Sequence, residues 1–137
     1  MSISDIVLKP VKKGDYRFLF ELLQERRKKE NISHKKMPSF SQHQKFVSSK
    51  PYSKWYIIFY NQNKLGSIYL SKQDEIGIHI KKEISSEKIK LRALKILIEK
   101  NPRKRYLANI NPRNTNMTKF YKKHNFHLIQ HTFELIP

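Results

Sequence analysis

Two stretches of this chain carry side chains whose types and spacing could do chemistry. The first is "EIGIHI", residues 75–80, in which Glu75, Gly77 and His79 alternate with three isoleucines. Successive side chains of a strand point to opposite faces, so Ile76, Ile78 and Ile80 share one side, and a carboxylate, a glycine and an imidazole share the other. Either Glu75 or His79 could take a proton from an attacking group, directly or through water, and the glycine between them leaves room for a ligand. Each also has a plain structural role open to it: Glu75 as the partner of a nearby lysine, His79 as a hydrogen-bonded residue of the sheet. The second stretch is "EISSEKIK", residues 83–90, which leads into the amphipathic segment "EKIKLRALKILIEKN". A helix start offers unpaired N–H groups and a partial positive charge to an anion such as phosphate. Ser85 or Ser86 can cap it. Loops that bring backbone close to phosphate usually carry glycine, and this one has none.

The elements that must position these residues are readable along the chain. "DIVLKPV" alternates and forms a first strand. A helix follows over "KKGDYRFLFELLQERRKK", with Asp15 as its N-cap and Phe18, Leu19, Leu22 and Leu23 as its apolar stripe. "ENISHKKMPSF" is a polar loop, and "SFSQHQKFVSS" a short helix opened by Ser39 or Ser41. "KWYIIFY" and "GSIYLS" make a hairpin about "NQNKLG", and "DEIGIHIKK" is a third antiparallel strand. In the next helix Lys88, Arg92, Lys95 and Glu99 face away from Ile89, Ala93, Leu94, Leu97 and Ile98. "RYLANIN" reads as a buried strand, parallel and adjacent to "EIGIHI" across that crossover helix. "PRNTNMTKFYKKHN" is a last helix, and "FHLIQHTFEL" one long or two short strands. The order implies an α/β (α+β) fold, a mixed, mostly antiparallel sheet flanked by helices, as a single domain over 1–137.

Composition narrows the classes. Eight Phe, seven Tyr and one Trp can furnish a core, and with no cysteine there is no disulfide or thiolate metal site. No His-Glu-x-x-His or similar spacing occurs, so no metal is expected. "MSISDIVLKP" lacks the form of a cleaved signal, and no run approaches the roughly 18 apolar residues of a membrane span, so a soluble cytoplasmic protein with no membrane partner is expected. Lys and Arg outnumber Asp and Glu by 29 to 11, for a net charge of +18. That charge suits anionic ligands and leaves nucleic acid open as a partner. The basic clusters are scattered, however, and Lys, Ile and Asn abound throughout, so compositional bias accounts for the charge better.

The whole chain, in element order and in several strings, resembles the GCN5-related N-acetyltransferase (GNAT) superfamily. "ANINPRNTNMTKFYKKHNF" is similar to the second half of such proteins: a strand, an Asn, a helix with a Tyr two turns on, then a small residue and Phe. "WYIIFYNQNKLGSIYLSKQDEIGIHI" resembles their three-stranded meander. "NISHKKMPSFSQHQKFVSSKPYSKWYII" looks like members encoded among surface-polysaccharide and sugar-modifying genes. The resemblance implies transfer of acetyl from acetyl-CoA to a primary amine, an amino-sugar nucleotide being one acceptor, with no metal. It implies Glu75 as base and Tyr121 as the acid beside the CoA sulfur. It places the carbonyl-binding N–H around Ile78, His79 and Ile80, and the pantetheine arm near Asn114. The phosphate loop falls on Ser85, Ser86, Lys88, Ile89 and Lys90, where Ser85 stands for the usual Gln or Arg, and Lys88 and Lys90 stand for the two glycines. Asn125 replaces a glycine before Phe126, a backbone position that Asn tolerates. Arg26, Tyr52, Trp55 and Tyr69 fall on segments that line the acceptor cleft, with His34 and His43 nearby. A homodimer is open. Two other readings remain beside the enzyme: a non-catalytic binding or regulatory module of the same fold, and a basic RNA- or ribosome-associated relative.

Overall fold

The computed structural model describes residues 2–26, 36–84 and 86–137. His34 and Ser85 lie outside them. The elements are β1 (Ile6–Pro10), α1 (Tyr16–Glu25), α2 (Phe40–Ser48), β2 (Lys54–Tyr60), β3 (Asn63–Leu70), β4 (Ile76–Ile80), α3 (Glu87–Lys100) and α4 (Thr115–Lys123). The four strands pair antiparallel in the order β1-β2-β3-β4. The β2–β3 register shifts between Ile58 and Phe59, so that Leu65 is the extra residue beside Gly66. Gly66 pairs with Ile80, and a Cβ there would run into the His79 carbonyl. Only glycine lets β3 come this close to β4.

The sheet packs on both faces. Ile6, Leu8, Ile58, Ile68, Ile76 and Ile78 meet Ile89, Ala93, Leu94 and Leu97 of α3, with Phe120 and Tyr121 of α4 in the same cluster. The opposite face buries Ile57 with Leu19 of α1 and Val47 of α2. Strand side chains alternate between faces, so the same alternation that fills the α3 side turns Gly77 and His79 toward α1 and α2. Ser39 caps α2 in a reciprocal box with Gln42. Asn125, after α4, has φ 71°, the left-handed backbone expected of it.

Four local expectations are corrected. Asp15 does not cap α1 with its side chain: it accepts the Lys12 N–H at 2.8 Å and pairs with Lys64 at 2.7 Å, closing the 3-10 turn before the helix. The last helix is shorter than its pattern, because Asn114 caps it through Met117 N–H and leaves Pro112 and Arg113 outside. "RYLANIN" contributes a single parallel bridge, Glu75 to Leu107, rather than a strand. "FHLIQHTFEL" forms no strand. No helix among the described residues is long and apolar enough to cross a membrane.

Candidate active site

The site grows from the point where β4 loses its second neighbour. Ile76 N–H donates to the Leu107 carbonyl at 2.7 Å, and Leu107 N–H to the Asp74 carbonyl at 2.9 Å. Beyond this bridge the two segments part, and among the described residues β4 is paired on one edge only. Backbone groups of a strand alternate in direction with the same period as its side chains. Since Ile76 N–H faces Leu107, those of Ile78 and Ile80 face the opened edge. His79 has the other parity, facing β3 as Lys81 does through its bond to the Leu65 carbonyl. The main-chain donors of the opened cleft are therefore Ile78 and Ile80, and the expectation of a His79 N–H there is corrected.

On the α1–α2 side, Gly77 does not leave room for a ligand: a Cβ there would overlap the Tyr69 ring, which lies across it. The absent side chain admits Tyr69 instead. Tyr69 stacks on Tyr52 with centroids 3.8 Å apart and rings 4° from parallel, and Trp55 meets Tyr52 edge-on at 4.7 Å. These three rings line a small cavity with Arg26, His43, Phe46, Ser67 and His79. At ≈ 40 Å³ the cavity holds about one water, so it is packed structure rather than a substrate chamber. The sequence-expected acceptor residues Arg26, Tyr52, Trp55 and Tyr69 thus do converge, as a wall.

The charges in this wall are uneven. Burial, then the Arg26 guanidinium, then the Lys90 ammonium push the His79 imidazole well below its ordinary range, so it stays neutral at pH 7. Burial likewise raises the phenols of Tyr52, Tyr69 and Tyr121, with Tyr69 adding to the effect on Tyr52 and Tyr121. Tyr121, 5% exposed, reaches from α4 into the field of Tyr69 and keeps its proton. Its ring packs against Phe126 at 4.8 Å.

Glu75 sits at the bridge, half-buried. Ser71 Oγ donates to Oε1 at 3.0 Å and Asn109 Nδ2 donates to Oε2. Neither partner was read from the sequence, although the alternation of "LANIN" beside "EIGIHI" brings Asn109 and Glu75 into range once the bridge is known. Two oxygens fixed by neutral donors leave lone pairs for a third proton source, while the carboxylate acts on Tyr52 and Tyr69.

At the far end of the cleft, Ser86 caps α3 by accepting the Ile89 N–H at 3.4 Å. The helix start survives without glycine. Glu87 in the first turn is held by Lys123 of α4 at 3.1 Å. Lys88 is exposed, whereas Lys90 is half-buried and close enough to His79 to act on it. The donor set, a capped helix start with two ammonium groups and the outward Ile78 and Ile80 N–H groups, fits a phosphorylated ligand running from α3 along β4. Coenzyme A has that form. The phosphate-side candidates are Ser86, Lys88, Ile89 and Lys90, with Asn114 already engaged as the α4 cap.

No family model matches the chain and no curated protein matches it in sequence. Its structure, however, is shared. An acetyltransferase from Thermus thermophilus superposes with a TM-score of 0.74 at 13% identity, over 95% of this chain and 92% of that one. The dodecameric spermidine N-acetyltransferase of Vibrio cholerae gives 0.72 at 17%, over 97% and 85%. A ribosomal-protein α-N-acetyltransferase in complex with coenzyme A gives 0.71 at 12%, over 93% and 82%. The chain therefore has the GNAT acetyltransferase fold, with four antiparallel strands and four α-helices among the described residues.

Proposed function

We propose that this protein is an acetyl-CoA-dependent N-acetyltransferase. One observation carries the reading beyond the fold. At the point where β4 loses its neighbour, Ser71 and Asn109 hold the Glu75 carboxylate, and beyond the bridge the Ile78 and Ile80 N–H groups face the opened edge. Acetyl-CoA, when bound, supplies the acetyl thioester. Glu75 receives the proton of an attacking amine, directly or through water, and Ser71 and Asn109 hold it in place. The N–H of Ile78 or Ile80 donates to the carbonyl oxygen that gains charge. Tyr121 gives its proton to the leaving sulfur and recovers one from solvent. His79, kept neutral and turned toward the aromatic wall, positions Tyr69 and takes no proton.

Arg26 bears on the acceptor. Among the described residues, the only ionised group lining the wall cavity is a cation, in a chain of net charge +18. That field supports an amine carrying negative charge elsewhere, such as an amino-sugar nucleotide, over a polycation. Calorimetry with acetyl-CoA, followed by thiol release with an amino-sugar nucleotide, an acidic peptide N-terminus and spermidine, tests both parts. Saturable binding and turnover with an anionic acceptor are expected. Absence of binding at millimolar acetyl-CoA would overturn the enzyme reading, and preference for spermidine would overturn the acceptor reading. Lys88 and Lys90, where such loops carry glycine, favour a second reading: a module of this fold that no longer uses CoA. The same calorimetry decides between them.

A further inference from the structure

Helix α1 ends against the usual rule. The carbonyl end of a helix is its negative end, where a cation is favoured and a carboxylate is not. In a chain with 29 Lys and Arg against 11 Asp and Glu, the last turn of α1 has no basic residue and closes on Glu25. A choice that costs local stability in this way calls for a gain elsewhere. The gain lies far along the chain: Glu25 Oε1 accepts the Lys82 main-chain N–H at 2.8 Å, just after β4 ends.

Lys82 lies in the glycine-free connection from β4 to the Ser86 cap of α3. Its neighbours are held from other directions. Lys81 N–H donates to the Leu65 carbonyl of β3 at 2.8 Å, and Ile84 N–H closes a turn on the Lys81 carbonyl at 2.9 Å. The Lys81 ammonium pairs with Glu83 at 2.8 Å, and the fields of Glu25 and Glu21 on α1 add to that hold on its proton. Next to Glu25, Arg26 lines the aromatic wall. Two consecutive residues at the end of α1 thus reach the phosphate-side connection and the wall.

We propose that Glu25 is a positioning residue for the cofactor: by holding Lys82 it fixes the exit of β4 toward the start of α3, where the phosphates would sit. This rests on the acetyl-CoA reading and adds a residue to it. The bond is to a main-chain donor, so an amide oxygen serves as well as a carboxylate. Glu25 also brings negative charge toward that end of the cleft, and charge alone would weaken the binding of a phosphorylated ligand. Positioning and charge therefore predict opposite signs when the side chain is removed.

Calorimetry with acetyl-CoA on the full chain and two variants, with amide exchange on the same samples, tests this. Glu25→Ala should bind acetyl-CoA about five- to tenfold more weakly, the size of one lost hydrogen bond, and its Lys82 amide should exchange faster than in the wild type. Glu25→Gln keeps the acceptor and loses the charge, so it should bind at least as tightly as the wild type and keep Lys82 protected. Unchanged or tighter binding by Glu25→Ala overturns the proposal, since Glu25 would then act as a charge or not at all. So does a Glu25→Gln variant as weak as Glu25→Ala, or a Lys82 amide that already exchanges freely in the wild type. Each of those results leaves acetyl-CoA binding by the wild type in place. A wild type that binds no acetyl-CoA overturns this proposal together with the reading beneath it.

Discussion

The two sides of the cleft are built by different means. On the proposed acceptor side, Tyr52, Trp55 and Tyr69 interlock over Gly77. On the proposed cofactor side lie a capped helix start, two strand N–H groups and long ammonium side chains. Close packing resists change at the level of one methyl group, because the surroundings cannot give way. Main-chain donors and flexible cations tolerate change, and what they lose is geometric definition. The acceptor side should therefore respond to substitution steeply, and the cofactor side gradually and with salt.

The comparison can be broken in four places. Tyr121→Phe keeps the packing and removes the proton, so turnover should fall by about 10²–10⁴ while acetyl-CoA binding by calorimetry stays unchanged. Loss of both together would make Tyr121 a packing residue. Gly77→Ala forces Tyr69 out of its position, and urea unfolding should show a loss of about 1–3 kcal/mol, with turnover falling alongside. An unperturbed variant would mean the wall is soft. Replacing Lys88 and Lys90 together by Gly should move acetyl-CoA affinity by less than about tenfold and flatten its dependence on salt, since point charges give way to closer backbone. A larger loss would mean that the ammonium groups, rather than the helix start, carry the cofactor.

The smallest effect is on pH. His79 binds its proton less readily folded than unfolded, so the unfolded state takes up more protons as pH falls below the ordinary 6.5. The stability its neutral form contributes is present above that value and is lost as pH falls toward the depressed one. His79→Asn should shrink the fall in Tm between pH 7.5 and about 5.5. A fall of equal size in both proteins would assign it to the other histidines.

What was legible in the sequence follows from the range of the interaction that fixes it. The meander strands, the amphipathic face of α3, the Ser86 cap and the left-handed Asn125 are decided within a few residues, and each stands where its pattern put it. Glu75 was named from the alternation of its strand and Tyr121 from the resemblance, but their setting was not. Ser71 and Asn109 reach Glu75 only through the parallel bridge at Leu107, and no local signal marks where two segments pair and then part. Gly77 misled for a related reason. A gap in one strand is filled from its neighbour, and the register that brings Tyr69 opposite is a property of the hairpin as a whole. The strand pattern of 126–137 was real in residue type, yet the pairing it calls for is not supplied within the described residues of one chain.

The glycine contact at Gly66 sets one further limit on how this protein can change. It locks β3 to β4 in a register from which a one-residue slip would drive the His79 side chain into the core and turn the Ile78 and Ile80 donors inward. Those donors belong to the backbone, so no point substitution other than to proline removes them. Lineages of this fold can exchange nearly every side chain around the cleft and still inherit the same pair of N–H groups. Activity can then be lost, or regained, by a handful of side-chain changes on an electrostatic frame that the fold itself carries forward.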